Sequence, residues 1–483
     1  MGDSASVMAP FFANQSCDPF TSQTKPCTLG NYVRYAVAAE SAADVAATIN
    51  FAREHNIRFV IRNTGHDYLG RSTGAGALSV WTHSLKEITF KTWNDKSYQG
   101  NAVKLGAGVQ GYDILAAGLT KGQVVVGGEC PTVGISGGYT QGGGHSALST
   151  SFGLSADNTL EFEVVTAAGE LVVASRTENA DLYWALSGGG GGNYGVVVSM
   201  TVKSFPDSYV GAATMSFYSN ENPTDTFYAA IDAFHAAMPA VVEAGAMVVY
   251  YFTSEFFMIA PLTAYGKTAA EVEAIMAPFV KTLTTMGVKH TAGYTQSATY
   301  YEHYDKYFGP LPVGAIQVGI AQYGGRLVPF SAWENNSTAM SAVTRSIAEK
   351  GVTWIGVGTD VSPFGKNKAN AVLPAWRKPL VHATLTTPWS FAPADWDKML
   401  DNQRLMTYEI MPALEAVTPG SGAYMNEADF QQPAFQQEFF GSNYKQLLCI
   451  KKRYDPENFF YATKAVGSEK WQVANDGRMC KAL

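Results

Sequence analysis

Glycine is concentrated in the first 205 residues of this chain, above all in residues 126–154, VGGECPTVGISGGYTQGGGHSALSTSFGL. Backbone without Cβ atoms can adopt positive φ and bring its N–H groups close to a ligand. Cys130 lies inside this run, and the whole chain has only five cysteines. A thiol so placed is a nucleophile, an attachment point, or an incidental buried group in a surface loop.

The glycine-rich half alternates helical and strand patterns. Residues 41–56 (SAADVAATINFAREHN) open on a Ser cap and carry apolar residues at helical spacing. Strand-like runs follow at 57–61, 77–81, 102–108, 123–128, 161–167 and 195–203, with short helices at 112–119 and 180–186. Beyond about residue 206 the chain becomes richer in Tyr, Phe, Met and Ala. It contains strand-like MVVYYF (247–252) and a helical stretch at 268–287. At 483 residues it exceeds what one core holds. The expected units are 1–205, 206–430 and 431–483.

Composition narrows the function. A net charge of −7 gives no electrostatic case for nucleic acid or an anionic membrane. No apolar run is long enough to span a bilayer. The eight histidines form no metal-ligand spacing, so no metal is expected. Neither a G-x-S-x-G elbow nor a phosphate-loop lysine is present.

Gly106, Gly108 and Gly111 match G-x-G-x-x-G, with Glu129 roughly twenty residues on, as a dinucleotide fingerprint requires. The preceding strand is short and polar-flanked, which argues against that reading. Gly190, Gly192 and Gly195 also match, but behind a helix. Cys17 and Cys27 suit a small disulfide, while Cys449 and Cys480 either pair or stay free. Sequons occur at Asn14, Asn335 and Asn336. These features favour a secreted protein whose signal peptide has been removed, with a cytoplasmic or vesicular location as the alternative; the N-terminus itself carries no signal pattern.

A second stretch, residues 60–76 (VIRNTGHDYLGRSTGAG), ends a strand in a compact turn. Successive N–H groups at Thr64, Gly65 and His66 can hold a pyrophosphate without basic side chains. Arg62-Asn63-Thr64-Gly65-His66 resembles the R-S-G-G-H turn of FAD-linked oxidases in the vanillyl-alcohol oxidase (PCMH-type) superfamily. Gly128-x-Cys130-Pro131-Thr132-Val133-Gly134, with Gly142-Gly143-Gly144, is similar to its berberine-bridge-enzyme-like branch. Residues 153–175 and 179–197 resemble the adenine-side half of that flavin domain, and 444–466 its C-terminal module.

The resemblance implies an α+β fold: a PCMH-type FAD-binding domain, a substrate domain with an antiparallel sheet backed by helices, and a terminal segment returning to the first. It implies FAD bonded twice, to His66 at the 8α-methyl carbon and to Cys130 at ring carbon 6. The implied cofactor contacts in the first turn are Arg62, Asn63, Thr64, Gly65 and Asp67. The cysteine loop adds Gly128, Thr132, Val133, Gly134, Gly137, Gly138, Gly142, Gly143 and Gly144. Gly192, Asn193, Gly195, Val196 and Val197 follow, with Asn458 and Tyr461 from the tail.

The implied reaction is hydride transfer from an alcohol or amine carbon to flavin N5, followed by reduction of O₂ to hydrogen peroxide. Tyr424 corresponds to a tyrosine that acts as base in carbohydrate-oxidising relatives. Its free pKa of about 10 demands a cationic neighbour. His382 and Thr384 share one face of the strand that meets the ring. Asn63-Thr64, Tyr139 and His145-Ser146 depart from the family pattern, and Thr140 lies at or beside the position that governs oxygen access. The expected partners are a small organic substrate and O₂, with the protein a monomer. Alternatives are an oligosaccharide oxidase, a flavin-dependent dehydrogenase or cyclase, and a non-catalytic flavin-binding protein.

Overall fold

The Ser41 hydroxyl accepts the Asp44 amide at 3.2 Å and starts the helix Ala42–Glu54. Its Val45, Ile49 and Ala52 are fully buried against Phe59, Val80, Val165 and Val196. This contact joins two sheets in the computed structural model, which describes residues 10–13, 16–17, 22–315, 321–365, 369–474 and 478–482.

The first sheet is parallel, β1 (Tyr35–Ala38), β2 (Phe59–Arg62) and β3 (Leu78–Trp81) in the order β1-β3-β2. The second contains β4 (Ile88–Asn94), β5 (Gln99–Gly106) and, past the two-residue β6 (Gln123–Val124), β7 (Thr159–Val165), β8 (Leu171–Ser175) and β9 (Val196–Lys203). Its order is β4-β5-β9-β7-β8, antiparallel throughout. The run 123–128, expected to be a longer strand, pairs only over β6 with β10 (Phe205–Pro206) before turning into the cysteine loop.

The fingerprint at Gly106 and Gly108 has a packing explanation. β5 is antiparallel to both neighbours, so no βαβ unit exists there. A Cβ at Gly106 would lie 2.3 Å from the Leu85 carbonyl oxygen, and one at Gly108 2.1 Å from that of His83. These glycines admit backbone rather than phosphate.

The third sheet has seven antiparallel strands: β11 (Val210–Tyr218), β12 (Met247–Phe252), β13 (Phe256–Tyr265), β14 (Thr291–Ser297), β15 (Ala321–Pro329), β16 (Thr353–Thr359) and β17 (Leu380–Pro388). Their order is β14-β11-β13-β12-β16-β17-β15. Side chains alternate between its faces. Val248, Tyr250, Trp354, Val381, Ala383 and Leu385 pack with helices Thr224–Glu243, Ala269–Thr285 and Phe330–Glu349 in the largest core. Tyr251, Ile355, Val357, Thr384 and Thr386 face the other way and line a cavity. The fold is therefore α+β, with an antiparallel sheet backed by helices, as the resemblance implied.

Cys17 and Cys27 form a disulfide, and Cys130, Cys449 and Cys480 keep their thiols out of any disulfide among the described residues. Asn335 and Asn336 are exposed on a helix; Asn14 lies outside the described residues. No helix among the described residues is long and apolar enough to cross a membrane.

The tail is fastened by a buried ion pair. Lys451, on helix Tyr444–Tyr454, bonds Asp455 and donates to the carbonyl oxygens of Asn193 and Phe460, each at 2.7 Å. Lys451 and Asp455 side chains are 1% and 0% exposed, so neither charge has water as a substitute partner. Removing one partner of such a pair costs about 3–5 kcal/mol. Asp455→Ala is accordingly expected to lower the urea midpoint by that energy without changing the slope, measured by equilibrium unfolding.

Candidate active site

The turn after β2 and the cysteine loop interlock. Gly65 has φ +90°, the left-handed geometry that glycine adopts without steric penalty. The Gly134 amide donates to Thr64 Oγ1 at 3.2 Å, and Asn63 Nδ2 donates to Thr82 Oγ1 at 3.0 Å. A Cβ on Gly134 would lie 1.8 Å from Asn63 Oδ1. Only glycine lets these loops close. Closure brings His66 Nε2 to 2.7 Å from Thr132 Oγ1, which lies 3.7 Å from Cys130 Sγ.

Both loops wall a cavity of about 440 Å³. Of the residues expected to bind cofactor, Asn63, Thr64, Gly65, His66 and Asp67 line it from the first turn. Gly128, Cys130, Val133, Gly134, Gly137 and Gly138 line it from the loop, with Gly192, Gly195, Val197 and Tyr461 from other segments. Thr132 reaches it through its bond to His66.

Arg62, Gly142, Gly143, Gly144, Asn193, Val196 and Asn458 are not part of its wall. The triple glycine packs behind it: a Cβ at Gly142 would meet the Asn426 amide at 2.5 Å, and Gly144 N donates to Tyr424 Oη at 3.2 Å. Val196 is core, and Asn193 accepts Lys451 through its carbonyl.

Tyr424 and Thr384 line the cavity, while His382 stands one layer back. Between them lies Glu427, three residues beyond Tyr424 and absent from the expected site. Glu427 Oε1 accepts from His145 Nε2 at 2.8 Å. Its Oε2 accepts from His382 Nε2 at 2.9 Å and from Thr384 Oγ1 at 3.2 Å. Donor and acceptor atoms of His145, His382 and Glu427 lie within 4.8 Å of one another, a spacing that also suits a metal ion. In this structure they satisfy each other.

The charges sort unequally. Burial alone would lower His145, but the Glu427 carboxylate, together with Glu129, outweighs it and raises the pKa to about 10. His382 is lowered, because burial outweighs its share of Glu427. Glu427 is held well below the usual carboxylate range: the His145 charge and both histidine hydrogen bonds overcome the burial that would raise it. Tyr424 is raised by burial and by Glu427, and its oxygen already accepts from Gly144 N and, at 2.8 Å, from Asn426 Nδ2. The two N–H donors favour the phenolate, but burial and the Glu427 charge outweigh them, and the balance opposes the proton loss that a tyrosine base requires.

Aromatic rings close the remaining wall. Tyr68 and Tyr323 stack with centroids 3.9 Å apart and planes 3° from parallel, joined by Tyr139 and Tyr251.

The site passes a test for a large planar cofactor with hydrogen-bonding edges. Asn63 Oδ1 and Ser136 Oγ are buried on the cavity wall without any protein partner. A Cβ at Gly138 would meet nothing within 4 Å, so the backbone there borders open space.

Comparison with known proteins agrees. The family described as FAD binding domain matches residues 33–175, and the one described as berberine and berberine like matches 423–467. The FAD-linked oxidoreductase ZEB1 of Gibberella zeae is 58% identical over 479 residues, 99% of this chain and 84% of its own length. This chain belongs to the FAD-linked oxidoreductases. The VAO-type flavoprotein MtVAO615 of Myceliophthora thermophila C1 is 40% identical and superposes with a TM-score of 0.94, over 98% of this chain and 87% of its own. A more distant fold relative is the glucooligosaccharide oxidase of Acremonium strictum (18% identical, TM-score 0.72, 90% and 92% covered). That oxidase is known with a 6-S-cysteinyl, 8α-N1-histidyl FAD. This FAD-linked oxidoreductase is thus an FAD-dependent enzyme of the VAO and berberine-bridge-like group.

Sequence reasoning missed Glu427, Glu129 and Asn426, although two of them sit in the AYMNEADF peptide already singled out. Two acids, Glu427 and Asp429, within the eight residues of that peptide were the available signal.

The charge pattern has a pH signature. His145 has a raised folded pKa, so its contribution is complete below its ordinary value of 6.5 and is lost as pH climbs through about 10. Glu427 is depressed, so its contribution is present above 4.5 and is lost in acid. The stability gap between wild type and His145→Gln is therefore expected to be widest between pH 4.5 and 6.5 and to close by pH 10. Denaturant midpoints measured across that range check it.

Proposed function

We propose that this FAD-linked oxidoreductase is an oxidase that carries its flavin on His66 and Cys130 and oxidises an alcohol or amine carbon of a small organic substrate. The single observation supporting this is that both side chains, 64 positions apart in sequence, open into one glycine-walled cavity beside Thr132. The linkage named for the Acremonium protein uses the same pair of residue types.

When bound, FAD supplies a two-electron acceptor at N5, and O₂ regenerates it with release of hydrogen peroxide. The chain's own residues bind and orient. Asn63 Oδ1 and Ser136 Oγ offer hydrogen bonds to polar edges of the cofactor, and Gly138, where a Cβ would meet no protein atom within 4 Å, leaves room beside the backbone. Phe460, Tyr461 and Ala462 bring the tail over the same cavity. The Glu427 network holds His145 cationic and His382 neutral, and Tyr424 keeps its proton as a donor. Tyr68, Tyr139, Tyr251 and Tyr323 supply an apolar, ring-lined space that excludes water and suits an aromatic or polyketide-like skeleton.

A division at residues 205/206 and 430/431 is supported by the cavity lining, which draws on residues 59–197, 251–427 and, from the tail, 460–462. The Cys17–Cys27 disulfide and the exposed Asn335 and Asn336 support a secreted glycoprotein.

Acid-denatured wild-type protein is expected to stay yellow. His66→Ala and Cys130→Ala are each expected to retain the colour through the remaining bond, and the double variant to lose it to the supernatant. Visible absorbance of the washed pellet decides.

A further inference from the structure

Four buried polar atoms on the cavity wall have no hydrogen-bond partner in the protein: Asn63 Oδ1, Ser136 Oγ, Glu129 Oε1 and His145 Nδ1. The first two belong to the interlocked loops. The other two face each other at 3.6 Å, within ion-pair range but too far for a hydrogen bond. A single oxygen atom set to one side of that line, about 2.8 Å from each, would satisfy both at once. Their side chains are 13% and 7% exposed, so leaving them unpaired is costly.

Both positions are braced from behind. Tyr304 Oη donates to the carbonyl of Gly128, next to Glu129, at 2.8 Å, and Tyr139 Oη donates to the carbonyl of His145 at 2.7 Å. Glu129 also directly precedes Cys130, so a group seated on it is adjacent to the tethering loop.

The other polar candidates are engaged. Both oxygens of Glu427 accept from His145, His382 and Thr384, and the Tyr424 oxygen accepts two N–H groups.

We propose that Glu129 and His145 seat the reacting oxygen of the substrate, Glu129 Oε1 accepting the hydroxyl proton while the Nδ1–H of His145 donates to the same oxygen. This rests on the reading that the cavity binds flavin and an alcohol together. In the oxidation of a secondary alcohol the O–H bond breaks and its proton forms an O–H bond on Glu129. The C–H bond breaks, its hydrogen leaving with the bonding pair for the flavin, the two-electron oxidant. The carbon–oxygen single bond becomes a carbonyl, and Glu129 returns its proton to water after product leaves. Charge that builds on the oxygen before hydride departure is met by the imidazolium. Glu427 is a positioning residue here: it keeps His145 charged and directs Nδ1 at the cavity.

The titratable groups around the pair are few. Glu427, His382 and Tyr424 surround His145, while Tyr139, Tyr251, Tyr300 and Tyr304 surround Glu129. All five tyrosines are raised, first by burial, and stay neutral through the range tested.

The test uses flavin-loaded protein and 4-nitrophenol, a non-oxidisable hydroxyl probe whose colour reports its own ionisation. Glu129→Gln removes the competing carboxylate and leaves the imidazolium, so the bound probe is expected to shift toward phenolate by about tenfold, one pKa unit. His145→Gln is expected to shift it the opposite way. Glu129→Asp, which keeps the charge but withdraws it, is expected to fall between wild type and Glu129→Gln. Bleaching by any alcohol that reduces wild type is expected to slow about a hundredfold in Glu129→Gln. A probe that fails to bind wild type, or that titrates identically in all four proteins, overturns the proposal. Loss of yellow colour from denatured wild type overturns the flavin attachment instead, and the probe titration still stands on its own.

Discussion

The approach of the 130s loop to the turn at 62–66 is the constraint from which the rest of the site follows. Gly134 sits where any side chain would collide with Asn63 Oδ1, at 1.8 Å from the position of a Cβ. That contact admits a single residue type, and it brings an imidazole and a thiol from distant parts of the chain to one wall. Gly106 and Gly108 follow the same logic one layer further out, against the carbonyls of Leu85 and His83. The conformational entropy spent on ordering so many glycines is offset by buried strands on either side, where Val103, Leu105, Val164 and Met200 are fully enclosed.

Opposite this wall the dominant interaction is ionic. A carboxylate buried alone would be strongly penalised, yet Glu427 remains charged because two imidazoles and a hydroxyl satisfy it from different elements. One imidazole then carries the compensating proton and the other does not, since burial acts on both, Glu129 stands at ion-pair distance from His145, and the charge on His145 itself lowers His382. The same field raises Tyr424, the residue that carbohydrate-oxidising relatives suggest as base. A shared motif position and a shared proton inventory are therefore separate matters.

Much of the architecture was legible from residue pattern. The capped helix at 42–54, the strand leading into the turn, MVVYYF and the helix at 269–285 all coincide with local periodicity. Period-two alternation correctly put His382 and Thr384 on one face of β17. The run at 123–128 has strand composition but pairs over only two residues, because the following glycines turn it into the loop that carries Cys130. β4, polar and half-exposed, lacks the apolar signal that marks a buried strand. At the site, motif position pointed to His66 and Cys130. Glu129 was visible only as the acid of a false fingerprint, and Glu427 only as one of two acids in residues 423–430.

What residue order alone determined is whatever depends on neighbours in the chain: turn chemistry, strand and helix periods, and the glycines that permit close backbone approach. Those act over a few bonds and leave a readable spacing. The tertiary structure decided which polar atoms share a cavity and which of them carry protons. That outcome depends on desolvation and on charges hundreds of residues apart, as between His145 and Glu427. No local pattern encodes such distances, because the ionisation of each group is set by whatever the fold packs against it.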